Sequence, residues 1–177
     1  DGTNGDVALN IYYDSDLSAA DLNGLVINLP QNYTPIATVT SSSIDIDDNF
    51  APNNGSGNGG DFFSIRVTGN VEAYADGPNW FRVRSDDGVK VRVNGNLAVD
   101  NFTQHGATDN SFTVENATQG QLIPIDITFF EWGGGAVLQL FNGNDSDQYT
   151  ETLSSGNFEI HLVDGVQILK GGNVSVI

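Results

Sequence analysis

The sequence predicts an all-β fold, an antiparallel β-sandwich with long loops, from three observations. Apolar and polar residues alternate at period two through Asn79 to Arg84 (NWFRVR), Gly88 to Val93 (GVKVRV) and Gln121 to Phe130 (QLIPIDITFF), the pattern of strands with one buried face. Turn-forming clusters of Asn, Asp, Ser and Gly separate such runs, at 52–60, 94–96, 133–135 and 142–147. The acids are 18 Asp against 5 Glu, beside 20 Asn and 21 Gly. These residues favour turns and caps where Glu and Lys favour helix, so the composition rules against a helical bundle.

Taken in chain order, strands are expected at VALNIYY from Val7, GLVINL from Gly24, SIDI from Ser43 and FFSIRVTG from Phe62. The three alternating runs follow, with SFTVE from Ser111 among them. After these come AVLQLF from Ala136, NFEIHLV from Asn157 and VQIL from Val166. A helical turn or two fits only Leu17 to Leu22. There is no internal repeat, and 177 residues make one domain, 1–177, the default. Asp86-Asp87-Gly88 between two alternating runs reads, on its own, as a tight hairpin with two solvated carboxylates. On that reading Arg82, Arg84, Lys90 and Arg92 share one outward face, interleaved with carboxylates such as Glu72 or Asp126. That is a charge-balanced solvated surface and not a binding patch.

Twenty-three acidic side chains against six basic ones give a net charge of −17. Such a field repels phosphates and anionic lipid, so binding to nucleic acid or to a membrane surface is excluded on charge. No apolar run is long enough to insert into a membrane. With no cysteine there is no disulfide framework, thiolate metal site or cysteine nucleophile. A start at Asp1 without methionine fits an excised piece of a longer chain and equally a processed mature chain; the expectation is a monomeric domain within a longer chain.

Two stretches add a more specific signal: IRVTGNVEAYADGPNWFRVRSDDGVKVRVNGNLAVD, and some twenty residues later GQLIPIDITFFEWGGGAVLQLF. The Ser-Asp-Asp-Gly-Val segment, the Asn-Gly turn, the Leu-x-Val-Asp strand end and the Gly-x-x-x-Pro-Ile strand before a glycine-rich loop resemble the protective-antigen-type (PA-14) domain family. The resemblance runs from about Tyr12 to Phe141 and is strongest over 61–141. It implies two packed antiparallel sheets, in agreement with the periodicity. In lectins of this kind, found in yeast and bacterial surface adhesins, paired aspartates hold a Ca²⁺ that binds sugar hydroxyls directly.

Calcium takes about 6–8 oxygen ligands at roughly 2.3–2.6 Å, which carboxylates, loop carbonyls and a vicinal diol can supply together. Adjacent side chains of an extended trans chain point to opposite faces; the resemblance implies a cis peptide bond between Asp86 and Asp87 that brings both to one ion. Carried over residue by residue, it also implies Glu131 as a side-chain ligand and Gly133 and Gly135 as carbonyl ligands. The family pattern has Asn where Glu131 stands. Three carboxylates over-neutralise the ion and weaken its pull on neutral hydroxyls, so either Glu131 is turned away or the register is off by one. Trp132 and Gly134 are then the residues expected to face the sugar beside Asp86 and Asp87, with an ordinary core or edge aromatic as the plain alternative for Trp132.

The resemblance therefore implies a non-enzymatic, Ca²⁺-dependent carbohydrate-binding domain of an extracellular or cell-surface adhesin. Its ligand is a vicinal-diol sugar of the fucose, glucose or mannose type on cell-surface glycans or polysaccharides, and its role is cell-surface or biofilm adhesion. An accessory module of a glycosidase and a calcium-stiffened structural spacer are the competing roles. A glycosidase centre needs two carboxylates about 5–9.5 Å apart, for which Asp86 and Glu131 are the candidates. The two histidines, His105 and His161, lie in no nucleophile motif. Asp14, Asp16 and Asp21, Asp45, Asp47 and Asp48, and Asn142, Asn144, Asp145 and Asp147 match no Asp-x-Asp-x-Asp-Gly loop. They read as solvated turns, with room for one additional structural Ca²⁺.

Overall fold

The computed structural model describes residues 7–11, 26–28, 35, 37–47, 63–145, 148–150, 158–164 and 166–170. The expected helical turn at 17–22, the acids Asp14, Asp16, Asp21, Asp48 and Asp147 and the glycine-rich stretch 52–60 lie outside them. All regular structure among the described residues is strand, so no helix there is long and apolar enough to cross a membrane.

Strands β1 (Val7–Ile11), β2 (Val26–Asn28) and β14 (Val166–Lys170) form a three-stranded sheet in the order β1-β14-β2. Six further strands form the second sheet: β3 (Ala37–Ser41), β13 (Phe158–Asp164), β5 (Phe63–Glu72), β10 (Leu122–Glu131), β7 (Val89–Val93) and β8 (Asn96–Asn101), in that spatial order. The third sheet runs β12 (Gln148–Thr150), β11 (Val137–Asp145), β6 (Gly77–Asp86) and β9 (Thr108–Ala117), with β4 (Asp45–Asp47) also pairing with β11. All pairs are antiparallel, and the six- and five-stranded sheets form the sandwich.

Period-two alternation sets its core. Phe81 and Val83 of β6, Val89 and Val91 of β7, Ile123, Ile125, Ile127 and Phe129 of β10, and Leu138 and Leu140 of β11 are all buried in one cluster. Phe63 meets Phe129 at 6.0 Å between ring centroids, and Phe81 stacks on Phe112 at 5.4 Å. At the far end of β6, Asn79 is fully buried. It accepts from the N–H groups of Tyr74 (2.8 Å) and Ala75 (3.3 Å) and donates to the carbonyls of Ala75 and Gly77. The Asn94-Gly95 turn between β7 and β8 has φ values of 51° and 80°, the doubly positive geometry that this dipeptide favours in hairpins.

The structure corrects the hairpin reading of residues 79–93. Strands β6 and β7 belong to different sheets, and Asp87-Gly88 crosses between them. Alternation still turns Phe81, Val83, Val89 and Val91 toward one core, but from opposite sides. Arg82 and Arg84 therefore face outward from the five-stranded sheet, beside Asp109 at 3.5 and 3.3 Å, with Arg82 also over the Phe141 ring. Lys90 and Arg92 face outward from the six-stranded sheet, so the four cations do not share a face. Asp126 does stand opposite Arg92 in the ladder, although its carboxylate is bound by Arg66 at 2.8 Å.

Candidate functional site

Three connections pass between the six- and five-stranded sheets at one end of the sandwich: 87–88 between β6 and β7, 102–107 between β8 and β9, and 132–136 between β10 and β11. They meet at Asp87. Its Oδ1 accepts the His105 N–H at 2.9 Å, and its Oδ2 accepts the Trp132 N–H at 2.8 Å. One carboxylate thus ties together both neighbouring connections.

Packing fixes the corner. The Phe130 N–H donates to the Gly88 carbonyl at 3.1 Å, extending the β7–β10 pairing past Phe129 and Val89. The Phe130 ring is so close that a Cβ on Gly88 would lie 2.2 Å from its Cε1, which explains the glycine after the aspartates. On its other side Phe130 meets Phe102 edge to face at 4.9 Å, and the Lys90 ammonium lies 4.9 Å from the Phe102 centroid. The 102–107 connection is thereby held at both Phe102 and His105.

Asp86 ends β6, opposite Val137 where β11 begins after the glycine run. The Asp86–Asp87 peptide bond is cis. Glu131 ends β10 and is completely buried, and Asp87 is 2% exposed. The carboxylates of Asp86, Asp87 and Glu131 each offer an oxygen, and these oxygens lie within 4.8 Å of one another. Among the described residues no other acid or histidine cluster of this kind occurs. Glu131 is therefore not turned away from the paired aspartates.

Three anionic groups this close, two of them buried, repel strongly unless a cation or protons compensate them. Burial pushes the Asp87 carboxyl from 3.8 up to about 6. The charge of Asp86 adds to the rise, while the N–H groups of Trp132, His105 and Gly133 oppose it. The donor set suits a hard cation: two Ca–O distances span roughly 4.6–5.2 Å, so oxygens within 4.8 Å of one another can share one coordination sphere. The cluster can hold a metal ion.

The glycine run is open on its solvent side. Gly134 and Gly135 are exposed, Gly133 is half-buried, and Gly134 has a φ of 97°. Trp132 departs from the expectation of a sugar-facing aromatic. It is only 5% exposed, because the chain turns inward as it leaves β10 and every residue from Phe129 to Trp132 is buried. Its contribution at the site is the backbone N–H given to Asp87. His105 was not apparent as part of the site from sequence, since it too acts through its backbone. Of the other acids, Asp45 accepts from Gln139 Nε2 at 2.7 Å, which is a β4–β11 contact.

Comparison with known proteins places this arrangement. The family model of the PA14 domain matches residues 9–150. The chain belongs to the PA14 domain family. Among solved structures, this PA14 domain is similar to an anti-sigma factor domain-containing protein at 26% identity and a TM-score of 0.57, over 66% of this chain and 40% of that one. It is also similar to an anti-sigma factor domain-containing protein from Clostridium clariflavum, at 17% identity and a TM-score of 0.54, over 64% and 38% of the two chains. A PA14 sugar-binding domain from an RTX adhesin aligns at 27% identity and a TM-score of 0.42, over 50% of each chain. The PA14 domain spans less than half the length of the first two. No curated protein matches the sequence.

Proposed function

We propose that this PA14 domain is a non-catalytic, Ca²⁺-dependent carbohydrate-binding module of a secreted or cell-surface adhesin. The observation that supports it best is the convergence of the Asp86, Asp87 and Glu131 carboxylates at the junction of three inter-sheet connections. These carboxylates hold the ion, with the Gly133 and Gly135 carbonyls completing its protein ligands. Calcium held there would supply a hard cation that attracts the oxygens of two vicinal hydroxyls. Three ionised carboxylates leave the site one charge negative, which weakens the ion's pull on neutral hydroxyls while offering those hydroxyls charged acceptors for their protons. Asp86 is the least buried of the three and lies nearest the entry, while the exposed Gly134 leaves space for a ring. With Trp132 buried, recognition rests on hydroxyl geometry and not on stacking against the indole. The proposed ligand is accordingly a terminal sugar with a vicinal diol, of the fucose, glucose or mannose type.

A second reading, a calcium-stiffened structural domain, draws on the complete burial of Glu131 and near-complete burial of Asp87. A glycan array probed with calcium, with chelator and with an Asp86→Asn/Asp87→Asn variant separates the two. Binding that requires calcium and both aspartates supports the lectin. Calcium binding without any bound glycan supports the structural domain, and glycan binding that survives both changes refutes the calcium mechanism.

A further inference from the structure

A groove of about 320 Å³ lies at the opposite end of β10, lined by Thr68, Gly69, Arg92, Gly95, Pro124 and Asp126 among others. Five to seven residues separate it from Glu131, a distance of roughly 20 Å along the strand. Thr68, Asp126 and Arg92 stand side by side across β5, β10 and β7, on the outer face of the six-stranded sheet. Gly69 and Gly95 line the trough through their backbone, and the Asn94 N–H donates to the Pro124 carbonyl at 3.0 Å, fixing the β7–β8 turn beside it.

The charges there are unequally engaged. Arg66 takes both oxygens of Asp126, through Nη2 at 2.8 Å and Nε at 3.3 Å. Glu159, one strand further out, is bonded to His161. Arg92 is exposed and makes no ion pair among the described residues. The trough thus offers a guanidinium fork, a carboxylate already neutralised by Arg66 that still accepts hydrogen bonds, a hydroxyl and the apolar ring of Pro124. A guanidinium matches a planar carboxylate through two parallel N–H bonds, while Thr68 and Asp126 match hydroxyls. The volume lies at the lower end of the range for small-molecule sites.

We propose that this groove is a second saccharide subsite, specific for a hexuronate whose carboxylate pairs with Arg92 and whose hydroxyls reach Thr68 and Asp126. It needs no metal and is independent of the calcium reading. The domain's net charge of −17 disfavours anions at long range, but at physiological salt that field is screened beyond about 8 Å, and the contact with Arg92 is local.

The test is an NMR titration of the ¹⁵N-labelled protein in chelator with glucuronate, glucose and N-acetylglutamate. Glucuronate is expected to shift the Gly69 and Gly95 amides and the Arg92 Nε–H. Glucose at the same concentration should leave them in place. Arg92→Gln, at an exposed position, should weaken glucuronate binding about tenfold or more, as loss of a charge-assisted pair does. Absence of shifts, an equal response to glucose, or affinity unaltered by Arg92→Gln would overturn the proposal. An equal response to N-acetylglutamate would overturn the saccharide assignment in favour of an acidic peptide. Because chelator is present throughout, failure here says nothing against the calcium centre, and failure of the calcium centre says nothing against the groove.

Discussion

Calcium binding at the three-carboxylate cluster should be coupled to loss of the proton on Asp87. Burial holds this carboxyl at about 6 instead of 3.8, so nearly all molecules carry the ionised ligand at pH 7.5 and roughly a tenth do at pH 5. Calcium must displace that proton, and its apparent affinity should fall roughly tenfold between the two conditions, about 1.4 kcal/mol. An aspartate with the ordinary value would lose only about a twentieth of its ionised form over the same interval. Isothermal titration calorimetry at pH 7.5, 6 and 5, repeated in buffers of different ionisation enthalpy, measures both affinity and proton release. Asp87 alone should release about 0.9 proton per calcium at pH 5 and almost none at pH 7.5, so the total at pH 5 should be about 0.9 or more. In chelator the sign for stability is opposite. The fold favours protonated Asp87, so this contribution is fully present below pH 3.8 and is lost as pH rises through about 6, amounting to at most about 3 kcal/mol. Calcium should restore it. An affinity that changes less than about twofold from pH 7.5 to pH 5 would refute the assignment of Asp87 as a buried, titrating ligand.

Gly88→Ala forces a methyl group into the Phe130 ring and should cost about 1–3 kcal/mol, a fall in Tm of roughly 2–4 °C per kcal/mol. Adding Phe130→Leu, which removes the ring edge, should make the double variant more stable than the sum of the two single changes; strictly additive melting data would contradict the contact. Asn79→Ala leaves buried backbone groups unsatisfied and should cost about 2–4 kcal/mol. Lying roughly 20 Å along β6 from Asp86, it should leave calcium affinity in titration calorimetry within twofold. Trp132→Ala should destabilise the domain by about 3–5 kcal/mol in chemical denaturation, whereas an aromatic that merely faced a sugar would lower binding and spare stability.

Alternation made the long strands readable because β5, β6, β7, β10 and β11 each bury one face against a shared core. Strand β3, Ala37–Ser41, gave no such signal: its first four residues are exposed, and it is held in place by pairing with β13. Three-residue β12 is too short for a period to show. Alternation also says which way a side chain points but not which sheet its strand joins, so Asp86-Asp87-Gly88 read as a hairpin when it is a crossing. Resemblance to a family directed attention to Asp86, Asp87 and Glu131. It left Trp132 open between a sugar-facing and a core aromatic, and the loss of alternation at Phe129–Trp132 buries the indole. The backbone donors from His105 and Trp132 left no trace in side-chain chemistry, since any residue with an N–H can serve there.

The most direct test of the central claim is calcium affinity measured with and without a saturating glycan identified on the array. If the sugar's hydroxyls coordinate the ion, the two bindings are linked and each strengthens the other by the same factor. Saturating sugar should tighten calcium binding by about fivefold or more, and Asp87→Asn should abolish the linkage. Calcium affinity identical in the presence and absence of a sugar that demonstrably binds would contradict the account, placing the ion and the sugar at separate sites.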